Sequence, residues 1–237
     1  MIQRGEILFT PDLARVGRTQ LKEFAGTRGF EDLHSWSITH PEDFWASVWD
    51  FCGVVGERGE RVIQRSQFPS DPSREFISTR FFPDANLSVV ENFLRHTGQG
   101  EAIVAIDETG SRVIRTWDEL RLRVARLAGA LEELGVVEGD RVVAWLPNGI
   151  EAIEIMLAAS SIGAVFSSCS PDFGAQGVLD RFSQITPKVL IATDSYIYGG
   201  RKFDCLERLA VIQTELPSLI KTLLVGSKLV DTDLILT

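Results

Sequence analysis

The sequence predicts an α/β protein, a partial doubly wound parallel sheet with an irregular helical N-terminal extension. Two observations carry this expectation. From Ala102 onward, short apolar runs alternate with segments of helical period, and strands alternating with helices imply right-handed βαβ crossovers and a sheet covered on both faces. Before about residue 100 the apolar spacing is irregular and interrupted by proline and serine, which divides the chain into regions 1–100 and 101–237.

In the first region, Thr10 with Pro11 reads as a helix start, and Leu13, Val16, Leu21 and Phe24 as one apolar stripe. Thr39 and Glu42 have capping-box spacing around Pro41, ahead of the aromatic face Phe44, Trp45, Val48, Trp49 and Cys52. Those rings are expected to dock the helix on a neighbouring domain. Pro69, Pro72 and Pro83 predict an extended segment between Arg65 and Asp84.

In the second region, Ile103–Ile106 and Val113–Thr116 flank a turn containing Gly110 and predict a hairpin. Thr116 and Glu119 form a capping box for a helix whose apolar face is Leu120, Val124, Leu127, Leu131 and Leu134, with Gly135 at its C-terminal cap. Strands are then expected at Arg141–Leu146, Ala164–Ser168, Lys188–Thr193 and Thr222–Val225. The intervening helices are expected at about Gly149–Ile162, Ala175–Ile185 and Phe203–Glu215.

With 24 Lys+Arg against 33 Asp+Glu, the formal charge of −9 disfavours nucleic acid as a partner. No run approaches the roughly 18 apolar residues of a membrane span, and no signal-peptide core follows the N-terminus, so neither a membrane nor export is expected. The sequon Asn86-Leu87-Ser88 is then idle, and the widely spaced Cys52, Cys169 and Cys205 predict neither a disulfide framework nor a zinc site. A cytoplasmic protein is expected.

Ligands of open parallel sheets bind beyond the carboxyl ends of the strands, which singles out Pro147-Asn148-Gly149, Ser167–Gly174 and Asp194–Lys202. The second loop is small and hydroxyl-rich, suiting close approach to a ligand or simple helix capping. Gly199 and Gly200 before Arg201 and Lys202 form a flexible basic turn, read as a ligand contact or as a solvated loop. Cys169 has no histidine near it in sequence, since His34, His40 and His96 all lie upstream, and it reads as a structural thiol. Asp140, Asp172 and Asp180 read as caps, turn formers or surface partners. The chain contains no GxxxxGK[ST], GxGxxG or GxSxG motif and no Ser/Thr/Gly-rich phosphate loop ending in lysine.

The segment from Thr116 through GVVEGDRVVAWLPNGIEAIEIMLAASSIGAVFSSCSPDFG to DRFSQITPKVLIATD resembles the adenylate-forming acyl-CoA synthetases. The SSCSPDFG loop is most similar to the acetoacetyl-CoA synthetase branch, and HPEDFWASVWDF and FPDANLSVVENFL resemble its N-terminal cap. The resemblance covers about residues 1–226, the opening third of the family's usual length. It implies an N-terminal cap at 1–100 and the incomplete first part of the large adenylate-forming domain at 101–237. In the full-length enzyme it implies ATP, Mg²⁺ and CoA, with no covalently bound cofactor. The phosphate loop, acyl pocket and catalytic lysine are expected in the C-terminal part missing here, so no catalytic residue is assigned. By itself the chain is expected to be inactive, to bind CoA weakly and to self-associate through apolar surface. Ser170, Pro171 and Asp172 match the family loop that lies against the CoA adenine, Arg201 matches an arginine that pairs with the 3′-phosphate, and Lys202 adds charge. A second family arginine is Tyr198 here. Competing expectations are a non-catalytic CoA- or nucleotide-binding module and an acetate–CoA ligase-like fragment. The final SKLVDTDLILT departs from the family pattern.

Overall fold

The computed structural model describes residues 7–27, 29–67 and 70–226, and the chain divides into two compact units, Met1–Leu87 and Ser88–Thr237. The terminal SKLVDTDLILT lies outside the described residues.

The first unit contains α1 (Leu13–Gly17), α2 (Gln20–Ala25), α3 (Phe30–Thr39), α4 (Pro41–Phe51), β1 (Ile63–Gln64), α5 (Pro72–Ser78) and β2 (Arg80–Phe81). The single stripe expected from Leu13 to Phe24 is two short helices. Asp12, not Thr10, caps α1 by accepting from Arg15 N at 2.7 Å, and the Thr19 hydroxyl starts α2 by accepting from Lys22 N at 3.2 Å. Leu13 is 89% exposed, so no continuous apolar face forms. Thr39 does not cap α4 either. It ends α3, its hydroxyl donating back to Ser35 O at 2.9 Å, and α4 opens after His40. The rings of α4 pack inside their own unit: Phe44 meets Trp36 at 5.5 Å, Trp45 meets Phe81 at 5.5 Å and Trp49 meets Phe82 at 4.9 Å. The segment expected to be extended includes α5, because the Asp71 carboxylate accepts from Arg74 N at 3.3 Å and starts a helix there. Pro69 lies outside the described residues.

The second unit begins with α6 (Val89–Phe93), the hairpin β3 (Glu101–Ile106) and β4 (Arg112–Thr116), and α7 (Trp117–Glu133). Both halves of the Thr116–Glu119 capping box are formed, and Leu120, Val124, Leu127 and Leu131 are buried as their spacing predicts. Next come β5 (Arg141–Trp145), α8 (Ile150–Ser161), β6 (Val165–Cys169) and α9 (Ala175–Phe182). The chain continues through β7 (Val189–Thr193), β8 (Ser195–Tyr198), β9 (Arg201–Asp204), α10 (Leu206–Glu215) and β10 (Lys221–Val225). The β8–β9 hairpin replaces the loop expected there and the first turn of the helix expected from Phe203.

Four strands form a parallel sheet in the order β10-β7-β5-β6. The second strand in sequence lies on one side of β5, and the third and fourth on the other, so the winding reverses between β5 and β7. Alternation along the strands sorts the core onto two faces. Val142, Ala144, Val189, Ile191 and Leu223 pack with α7 and α8, whereas Val143, Trp145, Leu190, Ala192 and Leu224 pack with α9 and α10.

At the amino ends of β5 and β7, Lys188 Nζ donates to Asp140 Oδ2 and to Gly135 O, each at 2.6 Å, while Asp140 also accepts from Val137 N at 2.9 Å. The Lys188 hydrogen bond leads in holding the Asp140 carboxyl below its ordinary value. A depressed carboxyl stabilises the fold above its unfolded value of about 3.9, and that contribution disappears as pH falls through the folded value. Asp140→Asn should therefore melt earlier than wild type at pH 7, and the gap should begin to close below about pH 3.9 and vanish once pH is below the depressed folded value. Thermal unfolding across pH checks this; a gap as wide in acid as at pH 7 would contradict it.

Candidate functional site

The winding reversal places the carboxyl ends of β5 and β7 at the natural crevice of the sheet, and Trp145 closes β5 there. Its register partners are Cys169 on β6 and Ala192 on β7. The indole is fully buried and its Nε1–H has no hydrogen-bond partner among the described residues.

The loop after β6 is a tight hydroxyl turn. Ser170 Oγ donates to Asp172 Oδ2 at 3.0 Å and accepts from Asp172 N at 3.2 Å, while Phe173 N donates to Ser170 O at 3.1 Å. Pro171 is buried and Asp172 is exposed. On α9, the Arg181 guanidinium covers the Phe173 ring at 4.1 Å.

The β8–β9 hairpin turns at Gly199 and Gly200, with φ of +58° and +72°. A two-residue turn with both φ positive matches the right-handed twist of its strands, and glycine is the residue that adopts it without strain. Both turn amides donate to the Glu108 carboxylate in the β3–β4 turn, Gly199 N at 2.9 Å and Gly200 N at 2.8 Å. The register pairs Tyr198 with Arg201 and Tyr196 with Phe203 on one face, and Ile197 with Lys202 on the other. Arg201 and Lys202 thus point to opposite sides. No ion pair engages Arg201 among the described residues.

Tyr196 and Arg208 tie the hairpin to the loop after β6. The Tyr196 ring stacks on Phe203 at 5.2 Å, and its hydroxyl is held above the ordinary tyrosine value, first by burial and then by its hydrogen bond to Asp172. Arg208 on α10 donates to Pro171 O at 3.0 Å. Ser170, Pro171 and Asp172 are therefore brought to the same end of the sheet as the hairpin carrying Arg201. Sequence reading missed Tyr196, Arg208 and Glu108. The Gly-Gly step between SYIY and RKFD is the signal that marks the hairpin; nothing local marks Arg208.

Cys169 is buried, and burial pushes its thiol up to about 11, so almost no thiolate is present at neutral pH. Burial likewise raises Cys205, and Cys52 is exposed. A guanidinium free of carboxylate partners, stacked aromatic rings and a turn with ordered polar groups suit a phosphorylated aromatic ligand, and the cluster supplies no activated nucleophile.

A family model described as AMP-binding enzyme matches residues 91–233. The chain belongs to the AMP-binding enzyme family. Acetoacetyl-coenzyme A synthetase of Rhizobium meliloti (strain 1021) is 43% identical over 212 residues, 86% of this chain and 32% of that protein. Acetoacetyl-CoA synthetase of Danio rerio is 38% identical over 234 residues, 94% of this chain and 34% of its own. Among solved structures, acetoacetyl-CoA synthetase from Streptomyces lividans superposes with a TM-score of 0.82 at 34% identity, over 95% of this chain and 36% of that one. The chain thus spans about a third of the length of these AMP-binding relatives. No helix among the described residues is long and apolar enough to cross a membrane. No group of three or more His, Cys, Asp or Glu side chains among them is placed to hold a metal ion.

Proposed function

We propose that the chain supplies the CoA face of an ATP-dependent acetoacetate–CoA ligase. In such an enzyme, ATP and the acid give an acyl-adenylate and pyrophosphate, and the CoA thiol then displaces AMP to leave the thioester. Ser170, Pro171 and Asp172 lie against the CoA adenine, and Arg201 grips the 3′-phosphate with its planar, two-pronged guanidinium. Lys202, on the opposite face of the hairpin, contributes charge at longer range. What supports this reading most is that the loop after β6 and the Arg201 hairpin, distant in sequence, stand together at the carboxyl end of the sheet. Cys52, Cys169 and Cys205 form no disulfide among the described residues, which suits a reducing, cytoplasmic compartment. Among the described residues, β6 and β10 are the sheet edges, and self-association through such an edge belongs to the same reading.

The test uses the whole chain. Equilibrium dialysis should show CoA retained. Incubation with ATP, Mg²⁺, acetoacetate and CoA should release no pyrophosphate, because the sequence has no Ser/Thr/Gly-rich loop to stabilise charge on the leaving group. Acid-dependent AMP formation by a preparation free of other ligases would contradict this division of labour, and failure to retain CoA would remove the CoA face.

A further inference from the structure

Arg208 stands where the two halves of the proposed CoA face join. Its Nη1 donates to Pro171 O at 3.0 Å, and its Nη2 donates to Asp204 O at 3.2 Å and lies 3.4 Å from Cys205 Sγ. The guanidinium carbon is 5.2 Å from the Trp145 ring centre and 5.9 Å from that of Tyr196. Pro171 is the middle of the loop after β6, and Asp204 ends the strand that Arg201 begins. A rigid fork that donates to both carbonyls at once fixes the spacing between them. The Trp145 and Tyr196 rings flank the guanidinium and restrict where the fork can move.

We infer that Arg208 is a positioning residue that sets the reach between the Ser170–Asp172 loop and Arg201. That reach decides whether a ligand whose aromatic base and phosphate are one ribose apart meets both at once. The inference rests on the CoA reading and adds to it a residue that never touches the ligand. Lysine in place of Arg208 keeps the charge and most of the stem, but one ammonium group lacks the fork that spans both carbonyls.

The test compares wild type and Arg208→Lys by titration calorimetry with CoA and with dephospho-CoA, alongside thermal unfolding. The variant should weaken CoA about tenfold and dephospho-CoA far less, so that the preference for CoA collapses toward one while the fold stays cooperative. A merely structural role would weaken both ligands alike and leave the preference intact; that result, or no change in either ligand, overturns the inference. A wild type that shows no preference fails at an earlier step and overturns the CoA reading together with this one. A measurement without substitution guards against an unfolded variant. In wild type, saturating CoA should slow amide exchange in residues 170–173 and 195–204 together, and protection of one segment alone overturns the coupling.

Discussion

Replacing Arg115 and Arg123 together by methionine is expected to destabilise the chain by about 3–5 kcal/mol, more than removing the carboxylate they share. Glu154 lies on the buried side of α8, with its side chain only 1% exposed. It is held by Arg115 Nε at 3.1 Å from β4 and Arg123 Nε at 2.8 Å from α7. These three side chains tie the β3–β4 hairpin and α7 to α8, and they line a cavity of about 290 Å³ with Leu127, Ile155 and Val225. The cost is asymmetric because exposure is. Arg115 and Arg123 are 23% and 29% exposed, so without Glu154 they recover water, and Glu154→Leu should cost about 1–3 kcal/mol. Without both arginines, the carboxylate is stranded in the core. Removing all three charges should return most of the loss, since a buried ion cluster exchanged whole for apolar side chains is often close to neutral. Urea unfolding of the four proteins checks the order. A double arginine variant more stable than Glu154→Leu would contradict it.

Arg201→Ala is expected to erase the distinction between CoA and dephospho-CoA, two ligands that differ only in the 3′-phosphate. A hydrogen bond to a charged group is worth about 1.5–3 kcal/mol, or roughly ten- to a hundredfold in affinity. Two features push the value toward the low end: Arg201 is exposed, and Tyr198 stands opposite it where the family has a second arginine. The fold should be unaffected, because the side chain leaves the hairpin toward solvent and makes no ion pair among the described residues. Arg201→Lys should recover only part of the discrimination, since an ammonium lacks bidentate geometry. An alanine variant that still prefers CoA by the wild-type margin would place the 3′-phosphate elsewhere.

Legibility in the sequence followed the range of the interactions. The α7 start was readable because Thr116 and Glu119 satisfy one another within a single turn, and β5 and β7 because strands buried on both faces are apolar along most of their length. The Thr39 box failed although its spacing was right, because the Thr39 hydroxyl was already committed to Ser35 O at the end of the preceding helix. The split of the first helical stripe has the same origin, a second capping residue at Thr19. At the site, the hydroxyl turn at Ser170–Asp172 and the basic turn at Arg201 are local patterns and were seen. Arg208 was invisible because its partner Pro171 comes from a different loop, and a helical arginine beside Leu209 and Ile212 looks like any solvated charge. Glu154 left a trace, a carboxylate on the stripe of Ile150, Ile155 and Ala158, but nothing in the spacing names the arginines that answer it.

The most direct measurement is the ratio of the dissociation constants of CoA and dephospho-CoA for the unsubstituted chain, determined by titration calorimetry in one buffer at one ionic strength. A CoA face built on Arg201 predicts CoA binding about ten- to a hundredfold more tightly. Equal affinity for the two, or binding of neither, would contradict the assignment of this end of the sheet to CoA.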